Sequence, residues 1–173
     1  GYGIKRSSVS RHWKAATAKE LEGLMERPVP KDLLVLMIDS KFFGGDCIVT
    51  AIGIDVQGRK QVLGLWHGTT ENSTVVKGLL EDLVSRGLET ERKLLIVIDG
   101  AKALRKAVQM VLGEQGLVQR CRIHKQRNVL DQLPEEKKAQ ARWRLQAAWA
   151  QKDPQMAERQ LRKTARWLEA SWP

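Results

Sequence analysis

Asp39 and Asp99 are the two residues whose type and position most clearly indicate chemistry. Each closes a short, mostly apolar run, Leu33–Asp39 and Lys93–Asp99. An acid that ends a buried strand stands at the carboxyl edge of the sheet, where α/β folds bind ligands. If the two strands are neighbours, the carboxylates converge, and their mutual repulsion favours a hard cation, Mg²⁺ or Mn²⁺, between them. Such a site can activate a nucleophile and stabilise the leaving oxygen of a phosphate.

The alternative for each aspartate is a structural role, in which the side chain only caps the loop that follows it. Two such strand ends in one chain favour the metal site over two independent caps. Asp46 and Asp55 are weaker candidates, because both lie beside glycine-containing turns, where aspartate is expected for backbone reasons.

Cys121 and His124 form a closely spaced C-x-x-H pair. A structural zinc site needs four ligands, and the chain has no second closely spaced pair of cysteine or histidine residues. We therefore expect no structural zinc here. The composition favours a buried cysteine and a histidine at the start of a helix, together fixing the end of a strand.

The N-terminal segment 3–13 resembles the turn and second helix of a helix-turn-helix, with Gly3 at the turn. The side chains expected at the major groove or its phosphates are Arg6, Ser7, Ser8 and Arg11. The first helix of such a motif is absent, so the pattern predicts half of a DNA-binding unit. The alternative is a short helix rich in serine and arginine that has no DNA partner.

The elements that must position these residues follow from the hydrophobic pattern. Apolar runs predict five strands, and apolar residues at helical spacing predict two helices between the later strands. The strands are Leu33–Asp39, Cys47–Ile54, Lys60–Trp66, Lys93–Asp99 and Leu117–Cys121, and the helices carry Val75–Val84 and Leu104–Leu112. The order β-β-β-α-β-α-β predicts a mixed sheet, a three-strand antiparallel meander beside two parallel strands.

After Pro134 the chain changes character and becomes rich in Ala, Gln, Arg, Glu and Lys. Asp153-Pro154 interrupts this segment, so two helices are predicted, over 135–151 and 154–170. We expect three parts: residues 1–31 as a partial helix-turn-helix with a linker helix, 32–133 as the α/β core, and 134–173 as a separate helical segment.

Charge and composition narrow the class of protein. Of the 173 residues, 42% are hydrophobic and 29% are charged, which is ordinary for a folded domain, and no apolar stretch is long enough to span a membrane. The net charge of +10 divides into +4 over residues 1–31, −1 over 32–119 and +7 over 120–173. Two basic ends suit a nucleic acid partner, although a solvated basic surface is the alternative. Two cysteines and no signal sequence predict a cytoplasmic protein.

Three runs closely resemble the Mutator-type transposases of bacterial insertion sequences. They are GIDVQGRKQVLGLWHGTTENSTVVKGLLEDLVSRGL, LLIVIDGAKALRKAV and VQRCRIHKQRNVLDQLP. The resemblance extends from about Gly3 to Pro173, and its most specific parts are D-G-x-K-x-L at Asp99 and Q-R-C-x-x-H at Cys121.

The resemblance implies a ribonuclease H-like catalytic domain with an Asp-Asp-Glu triad, in which Asp39 and Asp99 match the two aspartates. It implies that Cys121 and His124 are the family's C-x-x-H motif, and that the helices after Pro134 begin an all-helical insertion. The family's glutamate follows that insertion, so we expect this sequence to be a fragment that ends before it. The glutamates within the insertion are not candidates for that role: Glu135, Glu136, Glu158 and Glu169.

The resemblance also implies a function, cofactors and partners. The implied function is DNA transposition and recombination, with Mg²⁺ or Mn²⁺ as the cofactor. The implied partner is double-stranded DNA, both the terminal inverted repeats of the transposon and the target DNA. At full length the protein is expected to be a nucleoid-associated homo-oligomer. We expect the 173-residue chain to be inactive alone. The alternative is a non-catalytic DNA-binding remnant that occupies transposon ends. A phosphoacceptor domain is excluded, because three leading strands in a meander do not fit a doubly wound receiver.

Overall fold

Five strands form one mixed sheet in the order β3-β2-β1-β4-β5. The computed structural model describes residues 6–68 and 72–171. The first part of the chain contains α1 (Arg6–Glu26), β1 (Leu33–Phe43), β2 (Asp46–Asp55), β3 (Lys60–Gly68), α2 (Ser73–Ser85), β4 (Leu94–Ile98), α3 (Lys102–Leu112) and β5 (Gly116–Arg120). Three helices follow, α4 (Arg122–Asp131), α5 (Glu135–Trp149) and α6 (Pro154–Ser171).

The pairing of the strands confirms the predicted mixed sheet. β1 pairs with β2 and β2 with β3 in antiparallel fashion, which makes the three-strand meander. β4 pairs in parallel with β1 on one side and with β5 on the other. The two crossovers pass through α2 and α3, as parallel strands require a long connection.

β1 is longer than predicted, and the prediction that Asp39 closes it is wrong. The strand continues to Phe43, and its last residues pair with β2 as far as the Phe43–Asp46 pair. Gly44 and Gly45 join the two strands with φ of 58° and 100°, values that favour glycine and suit a two-residue hairpin turn. Because this turn returns the chain at once, the backbone after Asp39 finds a hydrogen-bonding partner and remains a strand.

One hydrophobic core lies between the sheet and the two crossover helices. Alternate residues of β1 and β4 face it, because side chains along a strand point to opposite faces. The sheet contributes Leu36, Ile38, Ile96 and Ile98; α2 contributes Val76, Leu79, Leu80 and Leu83; α3 contributes Leu104, Ala107, Val108 and Leu112. All twelve are at most 5% exposed, so this packing fixes which face of each strand is outward.

Side-chain hydrogen bonds hold both ends of α2. The Asn72 carboxamide oxygen accepts from the backbone N–H groups of Thr74 and Val75 and so caps the start of the helix. At the other end Arg86 is only 9% exposed and donates to Asp82 at 2.6 Å. It also donates to the carbonyl oxygens of Arg27 and Leu63, at 2.9 and 2.8 Å. One guanidinium thus ties α2 to β3 and to the segment that follows α1.

The chain divides into two compact units, residues 1–120 and 121–173. The composition changes at Pro134, but α4 already belongs to the second unit. The two helices predicted after Pro134 are present as α5 and α6, and the Arg144 guanidinium lies 4.7 Å from the centre of the Trp167 ring. Within the described ranges, no helix is long and apolar enough to cross a membrane.

We predict that Arg86→Ala lowers the free energy of unfolding by about 3 kcal/mol, because the Asp82 carboxylate and three carbonyl groups, those of Leu24, Arg27 and Leu63, lose their donor. Lys77→Ala is the matched control on the same helix, since Lys77 also pairs with an acid four residues away, Glu81, at an exposed position. Its cost should be about 0.5 kcal/mol or less. Urea denaturation of the three proteins measures both values. Equal costs would contradict the structural role assigned to Arg86.

Candidate active site

The parallel pairing of β1 with β4 places Asp39 and Asp99 at the same level of the sheet. Met37–Val97 is the last pair between the two strands. Continued two residues further, the same register would bring Asp39 level with Asp99. Neighbouring strands are about 4.8 Å apart, so the two backbones are close. Asp39 lies two residues after the half-buried Met37, and Asp99 lies two residues after the half-buried Val97. Each acid directly follows a buried isoleucine, Ile38 or Ile98. Strand alternation puts Asp39 on the face opposite α2 and α3, and the same alternation continued one residue past β4 would put Asp99 on that face too.

Asp99 directly follows β4 and is half-buried. Its Oδ1 accepts a 2.7 Å hydrogen bond from the backbone N–H of Ala101, so the carboxylate does cap the loop before α3. This hydrogen bond orients the Asp99 side chain and uses one of its two carboxylate oxygens, Oδ1. Among the residues that the structure describes, no donor contacts the second oxygen, which leaves it available to a ligand. Asp39 lies within β1 and is exposed.

Arg120 is a residue of this edge that the sequence pattern did not single out. It ends β5, pairs with Ile98 in the register, and donates from Nε to the backbone oxygen of Asp99 at 3.1 Å. The predicted strand order could have indicated Arg120, because a strand β5 that pairs in parallel with β4 brings its last residue close to the residue that follows β4. Arg120 adds a positive charge beside the two acids.

Gly100 makes the close approach of Arg120 possible. Its φ is 105°, a conformation that side-chain-bearing residues rarely adopt. A Cβ atom built on it would lie 2.5 Å from the Arg120 Nε. The turn out of β4 therefore needs glycine both for its backbone angle and for the space that the guanidinium occupies.

Cys121 and His124 follow β5. Cys121 is a half-buried free thiol at the residue before α4, and His124 lies in the first turn of that helix. Over residues 6–68 and 72–171, no three His, Cys, Asp or Glu side chains group closely enough to hold a metal ion. The part of the chain described here thus offers the carboxylate pair and no third protein ligand beside it.

Asp55 lies at the other edge of the sheet, because it pairs with Leu33 at the start of β1. It is 3% exposed, and its carboxylate accepts from the backbone N–H groups of Gln57 and Arg59 and from the Arg59 Nε. Burial by itself raises the pKa of Asp55, but these hydrogen bonds outweigh it and hold the pKa below its ordinary value. Asp55 is a turn residue and does not join the acid pair.

Asp46 opens β2 at the tip of the β1–β2 hairpin, where it pairs with Phe43. Its Oδ1 lies 2.9 Å from the His67 Nε2, and both side chains are exposed. Asp39 pairs with Thr50 of β2. Thr50 is four residues after Asp46, which is roughly 13 Å along the strand. Asp46 is therefore remote from the acid pair.

The predicted DNA-binding residues fall in α1. This is one uninterrupted helix from Arg6 to Glu26, so the second helix of the predicted motif and its linker are continuous. Ser8 is half-buried and Arg11 is exposed, three residues apart on one side of the helix. The turn predicted at Gly3 and the side chains of Arg6 and Ser7 lie outside the described part of the chain.

A mixed α/β sheet with two adjacent acids at one edge defines the class of fold and the candidate site. The family model described as "Transposase, Mutator family" matches residues 2–173, and the chain belongs to this family. This confirms the resemblance carried by the three sequence runs.

Named relatives are insertion-sequence transposases. The chain is 34% identical over 127 residues to the transposase for insertion sequence element IST2 of Acidithiobacillus ferrooxidans, covering 73% of this chain and 42% of that protein. It is 30% identical over 142 residues to the ISRM5 transposase of Rhizobium meliloti (strain 1021), covering 78% of this chain and 35% of that protein. The chain thus spans less than half the length of these relatives.

Among solved structures, a match covers 92% of this chain and 57% of a chain in the cryo-EM structure of a simian T-cell lymphotropic virus intasome in complex with PP2A regulatory subunit B56 gamma. The sequence identity is 10% and the TM-score is 0.28. That score is too low to support an argument about the fold.

We predict that Gly100→Ala destabilises the protein more than Gly58→Ala does. Both glycines have positive φ, 105° and 78°, but a Cβ at Gly58 meets nothing within 4 Å. Gly58→Ala should therefore cost only backbone strain, about 1–2 kcal/mol, and Gly100→Ala at least about 1 kcal/mol more because Arg120 must move. Thermal unfolding of both variants measures the difference. A smaller loss for Gly100→Ala would show that Arg120 does not occupy that space.

Proposed function

We propose that this chain is part of a transposase that cuts and joins DNA through metal-dependent phosphodiester chemistry in a ribonuclease H-like core. The observation that carries the proposal is the parallel register of β1 and β4, whose last pair is Met37–Val97. Continued two residues further, this register would align Asp39 with Asp99. Membership of the Mutator transposase family and the insertion-sequence transposases among its relatives support the same function.

The two acids fit Mg²⁺ or Mn²⁺. Carboxylate oxygens are the hard ligands that both ions select, and the Ala101 N–H fixes the orientation of the Asp99 carboxylate before any ion arrives. When bound, such ions supply activation of the attacking water or 3′-hydroxyl and stabilisation of the leaving oxygen. In this account Asp39 and Asp99 hold and orient the reacting groups, and Arg120 is placed to attract the phosphate beside them.

A complete site needs further oxygen ligands. Mg²⁺ keeps its waters unless several charged oxygens compete for it, so two carboxylates should bind it weakly. The glutamates in the C-terminal helices are already engaged in part: Glu135 pairs with Lys138 at 2.8 Å and Glu158 with Arg162 at 2.6 Å. We place the third carboxylate in the part of the relatives' length that this sequence does not span, so the 173-residue chain alone should not cut DNA.

The second candidate is a non-catalytic DNA-binding remnant that occupies transposon ends. The observation that favours it is the charge distribution, with +4 over residues 1–31 and +7 over residues 120–173. Both candidates predict DNA binding, so only the chemistry separates them.

The test is a strand-transfer assay with Mg²⁺ or Mn²⁺ on DNA that carries the element's ends. In a longer protein in which this sequence is followed by its natural continuation, Asp39→Asn and Asp99→Asn should each lower the rate at least about 100-fold, because each loss removes several kcal/mol of transition-state stabilisation. Asp46→Asn is the matched control, an exposed acid at the remote hairpin tip, and should keep the wild-type rate.

Wild-type rates in both Asp39→Asn and Asp99→Asn would overturn the proposed site. A longer protein that binds the ends without cutting them would establish the DNA-binding remnant instead. Cleavage by the 173-residue chain alone that disappears in Asp39→Asn would show that the third ligand lies within these residues.

A further inference from the structure

A groove of about 620 Å³ lies between α3 and β5. One wall carries Lys102, Arg105, Lys106, Gln109 and Met110 of α3, and the other carries residues 116–118 of β5. The first four of these α3 side chains are exposed and polar, and at i, i+3, i+4 and i+7 they follow one face of the helix.

The three basic side chains of the groove, Lys102, Arg105 and Lys106, have no acidic residue on either of the two elements that form its walls. α3 and β5 contain no aspartate or glutamate. Over the described ranges of the chain, no acid pairs with Lys102, Arg105 or Lys106. On α2, by contrast, Lys77 and Arg86 each pair with an acid on the same helix. The wall of the groove is therefore a concentrated positive surface on a domain whose middle is close to neutral.

The groove begins beside the acid pair. Lys102 opens α3 three residues after Asp99, and α3 then returns toward the opposite edge, since β5 starts again beside Leu94. The residues of α3 from 102 to 110 span roughly 12 Å along the helix axis. One strand of a DNA duplex presents a phosphate about every 3.4 Å along its axis, so this length matches about three phosphates.

We propose that the groove binds the phosphodiester backbone of duplex DNA, through Lys102, Arg105 and Lys106, where the DNA leaves the Asp39–Asp99 edge. The identity of the ligand rests on the proposed function; the site itself rests on the spacing of the cations and the absence of acids on both walls. The contacts are to phosphate, so they position DNA without reading its sequence. An acidic peptide strand is the competing occupant, because β5 is an edge strand.

The first test compares two triple variants of the 173-residue chain that remove the same charge. The groove variant is Lys102→Gln, Arg105→Gln and Lys106→Gln. The control is Lys31→Gln, Lys60→Gln and Lys93→Gln, three exposed lysines that precede or open β1, β3 and β4 at the opposite edge of the sheet. Binding to a duplex is measured in EDTA over a series of salt concentrations, and thermal unfolding shows that both variants fold.

The groove variant should flatten the slope of log affinity against log salt by about 2–3, since each lost phosphate contact contributes about 0.9. Its affinity at low salt should fall about 10-fold to 100-fold. The control should change the slope by less than about 1. Equal changes in the two variants would mean that only net charge matters, and would overturn the groove as a site.

The second test needs no variant. Lysine acetylation of the unmodified chain, read by mass spectrometry, should be slowed by duplex DNA at Lys102 and Lys106 and unchanged at Lys60 and Lys93. Uniform protection, or protection of the groove by polyglutamate but not by DNA, would overturn the proposal. The footprint should persist in Asp39→Asn/Asp99→Asn. An intact footprint together with wild-type strand transfer by these two variants of the longer protein would overturn the acid site alone. A missing footprint together with their expected loss of strand transfer would overturn the groove alone.

Discussion

The parallel pairing of β1 with β4 is the constraint on which the candidate site depends. Three residue pairs, from Val35–Leu95 to Met37–Val97, set this register. Continued two residues further, it would align Asp39 with Asp99, which are 60 residues apart in sequence. Because the side-chain period of a strand is two, a slip of one residue would send one acid into the core. The site therefore exists only while this pairing holds.

The hydrophobic core enforces that register from the opposite face. Ile38 and Ile98, the neighbours of the two acids, are each 2% exposed and pack in the same cluster as α2 and α3. A slip would bury a carboxylate among aliphatic side chains, at a cost of several kcal/mol. The outward position of the acids is thus a consequence of core packing, while Gly100 and Arg120 fix the path of the chain just beyond β4.

The sequence was sufficient to predict the mixed sheet, because the sheet follows from local patterns: apolar runs and helical spacing. The pairing of Asp39 with Asp99 at a metal site stays a prediction. It failed at Ser40–Phe43, where β1 continues past Asp39 because the hairpin through Gly44 and Gly45 supplies a partner strand. It also missed Arg120, whose role depends on a neighbour 21 residues away in the chain. Such contacts follow from topology, and no local propensity encodes them.

The central claim is that Asp39 and Asp99 share one cation, and a double-mutant cycle on Mn²⁺ binding tests it most directly. Electron paramagnetic resonance titration of the 173-residue chain would compare Asp39→Asn, Asp99→Asn, the double variant, and Asp46→Asn as control. Shared ligation predicts that each single variant loses nearly all of the binding that the double variant loses, whereas Asp46→Asn loses none. Independent, additive losses, or binding unchanged in the double variant, would contradict the account.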